Sequence, residues 1–231
     1  MCMTVSVDGG RLATTAQDRT VRLWDLSKSP PVPSVLEQKS YGEECTPLSP
    51  DGRFLLTFPG GPTAQIWDTS TTPPTSRRLN SPCLGFLCTL SYGAFSPDSR
   101  HLVTGGYDGV AQLWNLSDPQ SEPVALLGHS NSISFAGFSP DGQKIVTASS
   151  DRTARVWDAD RQRGAAISLA GHTGPVDYAE FSPSGKLLLT RSSDGTVRVW
   201  DVSSRRLTAR VLDLGGVSSG AWARFALVSV W

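Results

Sequence analysis

The sequence predicts an all-β protein assembled from repeated antiparallel sheets. Residues 128–158 contain three short runs of apolar and β-branched side chains, at 133–138, 143–149 and 153–157. A Ser-Pro-Asp-Gly turn separates the first two runs, and an Asp-Arg pair separates the last two. Short strands joined by tight turns form an antiparallel meander. Residues 171–201 repeat the pattern 43 positions later, again from a Gly-His pair to a Trp-Asp pair, so the meander is one unit of an array.

Five copies of this unit occur along the chain, and each ends at a Trp-Asp or Trp-Asn pair. Their last residues are Asp25, Asp68, Asn115, Asp158 and Asp201. The first copy begins in the middle of the repeat and has no Gly-His segment. The second and third copies have no histidine at the expected place. We expect the array to occupy residues 1–214 and a degenerate or truncated C-terminal tail to occupy residues 215–231.

The Gly-His and Trp-Asp pairs at this spacing resemble the WD-repeat β-propeller family, with regular repeats of the bacterial type. The resemblance implies an all-β propeller of about five four-stranded blades arranged around a channel. Propellers of this family most often close with about seven blades. Five copies therefore predict either a strained ring or a partial, open propeller with two uncovered blade faces. Such faces are apolar, and we expect them to support self-association.

The resemblance also implies a tetrad of hydrogen-bonded side chains in each complete blade: a Trp, a Ser or Thr, a His and an Asp. The fourth copy supplies Trp157, His129, Asp151 and either Thr147 or Ser149. The fifth copy supplies Trp200, His172, Asp194 and either Thr190 or Ser192. In the predicted arrangement the indole and the imidazole both donate to the hydroxyl, and the carboxylate fixes the tautomer of the ring. The first and third copies keep only the Asp and the Trp, and the second keeps only the Trp.

A Ser, a His and an Asp also make up a hydrolase triad, so a propeller-type hydrolase is the alternative function. The set occurs twice at the spacing of the repeat, whereas a nucleophile would occur once, so the structural role is favoured and no catalytic residue is predicted. The segment Gly216–Gly220 matches G-x-S-x-G. That motif requires a strand before it and a helix after it in an α/β sheet, and an all-β array does not provide them.

Composition restricts the partners and cofactors that we expect. Lys and Arg number 21 and Asp and Glu number 21, so nothing indicates a nucleic-acid surface. No apolar run reaches the roughly 18 residues of a membrane span. The four cysteines lack the spacing of a zinc site, and we expect reduced thiols in a cytoplasmic protein without metal or cofactor.

The predicted function is a non-catalytic scaffold for protein–protein interaction and complex assembly, within a larger regulatory protein. The partners would be other proteins or a fused domain of the parent chain. In this family one rim, called here the top rim, carries the turns between the second and third strands of each blade. Those turns present Gln17, Arg19, Tyr107, Ser150, Arg152 and Ser193. Tyr107 is either an interface anchor or a ring lying flat on the neighbouring blade.

Overall fold

The chain folds into five antiparallel sheets that follow one another in sequence. The computed structural model describes residues 2–15, 18, 20–36, 47–82, 89–160, 166–204 and 209–213. In these residues there are nineteen strands, which form four four-stranded sheets and one three-stranded sheet, and there is no helix. The prediction of an all-β fold of about five blades is therefore confirmed.

Each sheet is called a blade and numbered along the chain. Blade 1 contains β1 (Cys2–Val5), β2 (Arg11–Thr15), β3 (Val21–Asp25) and β4 (Pro33–Leu36). Blade 2 contains β5 (Phe54–Gly60), β6 (Thr63–Asp68) and β7 (Thr75–Asn80), and Leu48 bridges to Leu55 at its inner edge. Blade 3 contains β8 (Leu90–Phe95), β9 (His101–Gly106), β10 (Ala111–Asn115) and β11 (Val124–Leu126). Blade 4 contains β12 (Ile133–Phe138), β13 (Lys144–Ser149), β14 (Thr153–Asp158) and β15 (Ile167–Ala170). Blade 5 contains β16 (Val176–Phe181), β17 (Leu187–Ser192), β18 (Thr196–Asp201) and β19 (Ala209–Asp213).

The turn after the first strand of blade 4 is held by its own side chains. Ser139 Oγ accepts a hydrogen bond from the backbone N–H of Lys144 (2.9 Å), and Asp141 Oδ1 accepts one from the N–H of Gln143 (3.0 Å). Gly142 adopts a left-handed φ of 72°, which glycine reaches without steric cost. The turn therefore fixes where β12 ends and β13 begins.

The middle strands of blades 2, 3 and 4 are buried on both faces because a neighbouring blade covers each face. In blade 4, Ile145 and Trp157 lie opposite each other and pack with Val103 and Leu113 of blade 3. The adjacent Val146 points to the other face and joins the core shared with blade 5. Successive buried residues in one strand are typical of a sheet between two layers. This explains why the strands show no simple alternation of apolar and polar residues.

Four apolar cores join the five blades in order. They lie between blades 1 and 2, 2 and 3, 3 and 4, and 4 and 5. The largest includes Leu188, which has no solvent exposure, and Trp200, which is 4% exposed. Each fully buried Leu, Val or Phe side chain contributes about 1.5–3 kcal/mol to folding. Stacking of blades therefore supplies the hydrophobic core that one four-stranded sheet lacks.

One face of blade 1 is uncovered. Ala13 and Leu23 point towards blade 2, whereas Met3, Val5 and Val35 lie on the opposite face and are 70%, 59% and 54% exposed. Among the described residues no apolar core joins blade 5 to blade 1. The prediction of an open propeller is confirmed. Self-association through the uncovered face stays a prediction, and the tail at residues 215–231, with its G-x-S-x-G segment, lies outside the described residues.

Candidate functional site

Four side chains, from blade 4 and the loop before it, meet at the face that blade 4 turns towards blade 3. The indole N–H of Trp157 donates to Thr147 Oγ1 (2.9 Å), and Thr147 Oγ1 lies 2.8 Å from His129 Nε2. On the other side of the imidazole, His129 Nδ1 lies 2.7 Å from Asp151 Oδ2. The side chains of His129 and Asp151 are 0% and 6% exposed. The set closes the end of the blade by joining the loop before β12 to strands β13 and β14.

The proton positions in this set follow from burial and charge. Burial lowers the pKa of His129, which outweighs the raising effect of Asp151, so the ring is neutral at pH 7. Although burial of its carboxyl opposes ionisation, hydrogen bonds from Thr153 and His129 hold the pKa of Asp151 at about 2. A neutral imidazole carries one N–H, and the ionised carboxylate attracts it to Nδ1.

Burial and charge favour the opposite direction for one hydrogen bond from the one that the sequence led us to expect. With its proton on Nδ1, the ring has only a lone pair at Nε2. Thr147 therefore donates its hydroxyl proton to His129 Nε2 and accepts the indole N–H of Trp157. The chain of donors runs from the indole to the hydroxyl, then to the imidazole and finally to the carboxylate, and every buried polar group in it has a partner.

Blade 5 repeats the same geometry. Trp200 Nε1 donates to Thr190 Oγ1 (2.9 Å), His172 Nε2 lies 2.8 Å from that oxygen, and His172 Nδ1 lies 2.9 Å from Asp194 Oδ2. Burial lowers the pKa of His172 as well. Despite the opposing effect of burial, hydrogen bonds from Thr196 and the backbone of Thr173 hold the pKa of Asp194 well below its usual range.

Ser149 and Ser192, the alternative hydroxyls, lie outside the two tetrads. Ser149 Oγ donates to the carbonyl oxygen of Asn131 (2.9 Å) and accepts the backbone N–H of Asp151 (3.1 Å). Ser192 makes the same pair of bonds with Gly174 and Asp194 (3.0 and 3.1 Å). Each serine is the last residue of its strand and lies two residues beyond the threonine. Through these two bonds, each serine joins the loop before the first strand of its blade to the turn between the second and third strands.

The structure also corrects the prediction that three copies lack the hydroxyl of the tetrad. In every blade the repeat tryptophan donates to a threonine ten residues before it. The first three pairs are Trp24–Thr14, Trp67–Thr57 and Trp114–Thr104, at 2.9, 3.0 and 2.9 Å. In blade 1, Asp18 binds the guanidinium of Arg22 (2.7 Å). The constant spacing of ten residues was the available sequence signal for these pairs.

The repeats match a known family model, WD40 (WD domain, G-beta repeat), at residues 1–25, 85–115, 121–158 and 166–201. These segments make up more than half of the chain, and two of them contain the tetrads. The chain belongs to the WD40 repeat family. No curated protein shows significant similarity to it. Blade 2 falls between the matched segments, yet it keeps the indole-to-threonine bond of a WD repeat.

WD40 repeats are generally non-catalytic scaffolds for protein interaction. The geometry of the tetrads agrees with this role, because Thr147 and Thr190 are fully buried. A nucleophilic hydroxyl must reach its substrate, and these two reach only an indole and an imidazole. Within the residues that the structure describes, no group of three or more His, Cys, Asp or Glu side chains is placed to hold a metal ion. The same residues include no helix that is long and apolar enough to cross a membrane.

The predicted rim residues of this WD-repeat array occupy different environments. Tyr107 is 54% exposed, and its backbone N–H donates to the carbonyl of Thr89 (3.2 Å), which holds the turn in place. Ser150 is half-buried and accepts a hydrogen bond from Ser132 (3.0 Å). Ser193 is exposed, and so is Arg152, which has a left-handed φ of 71°. Gln17 and Arg19 lie outside the described residues. Among the predicted rim residues that the structure describes, Tyr107 therefore supplies an exposed ring.

Leu127 is an exposed side chain near this rim that sequence reasoning missed. It follows β11 directly, two residues before His129, and is 69% exposed. No repeat position requires a leucine there, because the corresponding residue of the next copy is Ala170. The top rim thus presents an aliphatic side chain as well as an aromatic one.

Proposed function

We propose that the chain is a non-catalytic platform that binds another protein, or a fused domain of its parent chain, through the top rim. The observation that carries this proposal is the exposed ring of Tyr107 on a turn whose backbone is fixed. A tyrosine loses little conformational freedom on binding and offers both an apolar ring and a hydroxyl, so it is a favoured anchor at interfaces. The backbone hydrogen bond from Tyr107 to Thr89 holds this turn in place, which lowers the entropic cost of docking.

Replacement of Tyr107 by alanine is expected to weaken binding of a captured partner by about 1–2 kcal/mol, or roughly 5–30-fold. The ring is more than half exposed, so the thermal unfolding curve should not change. The wild-type chain is used as bait in native lysate, and the affinity of a recovered protein is then measured by calorimetry for each variant.

Val32→Ala is the matched control because Val32 is 65% exposed in the connector between β3 and β4, away from the top rim. This variant should bind as the wild type does. If Tyr107→Ala binds its partner unchanged, or if it unfolds at a lower temperature, the top rim is not the docking surface.

A further inference from the structure

A cavity of about 450 Å³ lies next to the Ser-Pro turns and away from Tyr107. Its walls come mainly from the first strands of blades 3, 4 and 5 and from the prolines of three turns. Five aromatic residues line it: Phe95, Phe135, Phe138, Tyr178 and Phe181. The ring centroids of Phe135 and Tyr178 are 4.7 Å apart, with the planes inclined at 64°. Phe135 also contacts Tyr92, with ring centroids 4.9 Å apart, and the guanidinium of Arg191 lies over the Tyr178 ring, 5.5 Å from its centroid.

Glu180 adds a negative charge to this aromatic wall. Its side chain is half-buried and lines the cavity, and its Oε2 atom is buried without a hydrogen-bond partner. The nearby ion pair joins Arg191 to Asp177 (2.9 Å), and among the described residues no ion pair involves Glu180. Burial of a carboxylate oxygen without a partner destabilises the fold, because the oxygen has lost its hydration and accepts no hydrogen bond in return.

The repeat does not require this carboxylate. Phe95, Phe138 and Phe181 occupy the same position in blades 3, 4 and 5, and the residue before each is Ala94, Gly137 and Glu180. The neighbouring blades therefore fold with the smallest side chains where blade 5 has a glutamate. A charged group that occurs once among equivalent positions, in a cavity, suggests a ligand rather than a structural role.

We propose that this cavity binds a quaternary ammonium group, with the aromatic rings as its walls and Glu180 as its counter-charge. Aromatic faces attract cations through their quadrupole, and a carboxylate a few ångströms away adds direct attraction. A trimethylammonium group presents methyl groups that can pack against the rings and prolines, and its charge attracts the carboxylate of Glu180. The group could come from a free choline-like molecule or from a trimethylated lysine of a polypeptide.

The first test compares choline with its neutral isostere 3,3-dimethylbutan-1-ol on the wild-type chain, by calorimetric titration. The two molecules have the same shape and differ in charge. We expect choline to bind with a Kd of about 1–10 mM and the alcohol to bind at least about tenfold more weakly. A second titration uses N-acetyl-trimethyllysine amide. The cation with the lower Kd indicates whether the cavity fits a free choline-like molecule or a trimethylated lysine. The proposal is wrong if neither cation binds, or if the alcohol binds as tightly as choline.

Two variants locate the ligand. Glu180→Gln keeps the size of the side chain and should weaken choline binding about tenfold, while binding of the alcohol stays the same. Phe135→Leu keeps an apolar wall without a π-face and should also weaken choline binding selectively. Glu122→Gln, at an exposed position before β11, is the control and should bind choline like the wild type. Unchanged choline binding by a folded Glu180→Gln variant would overturn the assignment. The comparison of choline with the alcohol remains decisive if a variant fails to fold.

Discussion

Replacing Thr147 by valine is expected to lower the free energy of unfolding by about 2–4 kcal/mol. The substitution keeps the volume and branching of the side chain but removes the hydroxyl. The indole N–H of Trp157 then has no acceptor, and His129 Nε2 has no donor. Each buried polar group left without a partner costs about 1–3 kcal/mol. Denaturant unfolding followed by circular dichroism measures the loss.

The same substitution at two other blades provides matched controls. Thr104 accepts the buried indole of Trp114 without a histidine, and Thr14 accepts the half-buried indole of Trp24. Thr104→Val leaves one buried group without a partner and should cost about half as much as Thr147→Val. Thr14→Val should cost about 1 kcal/mol or less, because water can reach the indole. Equal losses in all three variants would mean that the histidine adds nothing to the tetrad.

Replacing Leu188 by alanine is expected to cost about 2–5 kcal/mol. Leu188 has no solvent exposure and packs in the core between blades 4 and 5, next to Trp200. Truncation removes apolar contacts and leaves a cavity that two sheets on either side cannot readily fill. The loss is measured by denaturant unfolding, with the slope of the transition compared with that of the wild type.

Leu187→Ala is the control for this prediction, because Leu187 is the preceding residue of the same strand and is 38% exposed. The chemical change is identical, but about 1 kcal/mol or less should be lost where the side chain already contacts water. A smaller loss for Leu188→Ala than for Leu187→Ala would contradict the account of stacked blades with cores between them.

Sequence reasoning predicted the blades because each repeat contains its own boundaries. Ser139, Asp141 and Gly142 hold one turn by local hydrogen bonds and backbone conformation, so the predicted first strand at 133–138 agrees with β12. Blade 1 shows the same local control. Its first strand, Cys2–Val5, ends before Ser6, because Ser6 Oγ accepts the N–H of Arg11 (3.0 Å) and already belongs to the turn.

The remaining features depend on packing between segments that are far apart in the chain. Thr147 and Ser149 share a strand face, and only the position of the imidazole decides which hydroxyl it meets. The proton order in the tetrad depends on burial of His129, which the sequence does not give. The cavity beside Glu180 combines residues from four blades, so no local pattern indicates it. The exposure of Tyr107 likewise depends on what the next blade covers.

The most direct test of the structural role of the tetrads is the protonation of His129 and His172, observed by nitrogen NMR of the imidazole rings between pH 7.5 and 4.5. Both pKa values lie below the ordinary 6.5 because the rings are buried. The folded chain therefore binds protons less readily than the unfolded chain, and the free energy of unfolding should decrease as the pH falls below about 6.5.

We predict that both rings carry their proton on Nδ1 at pH 7 and stay neutral at pH values where an exposed histidine is already charged. The free energy of unfolding, measured on the same samples, should fall across that range. Rings that titrate near 6.5 with a proton on Nε2 would be accessible to solvent and free to exchange protons with a substrate. That result would contradict a buried structural tetrad and support the hydrolase alternative.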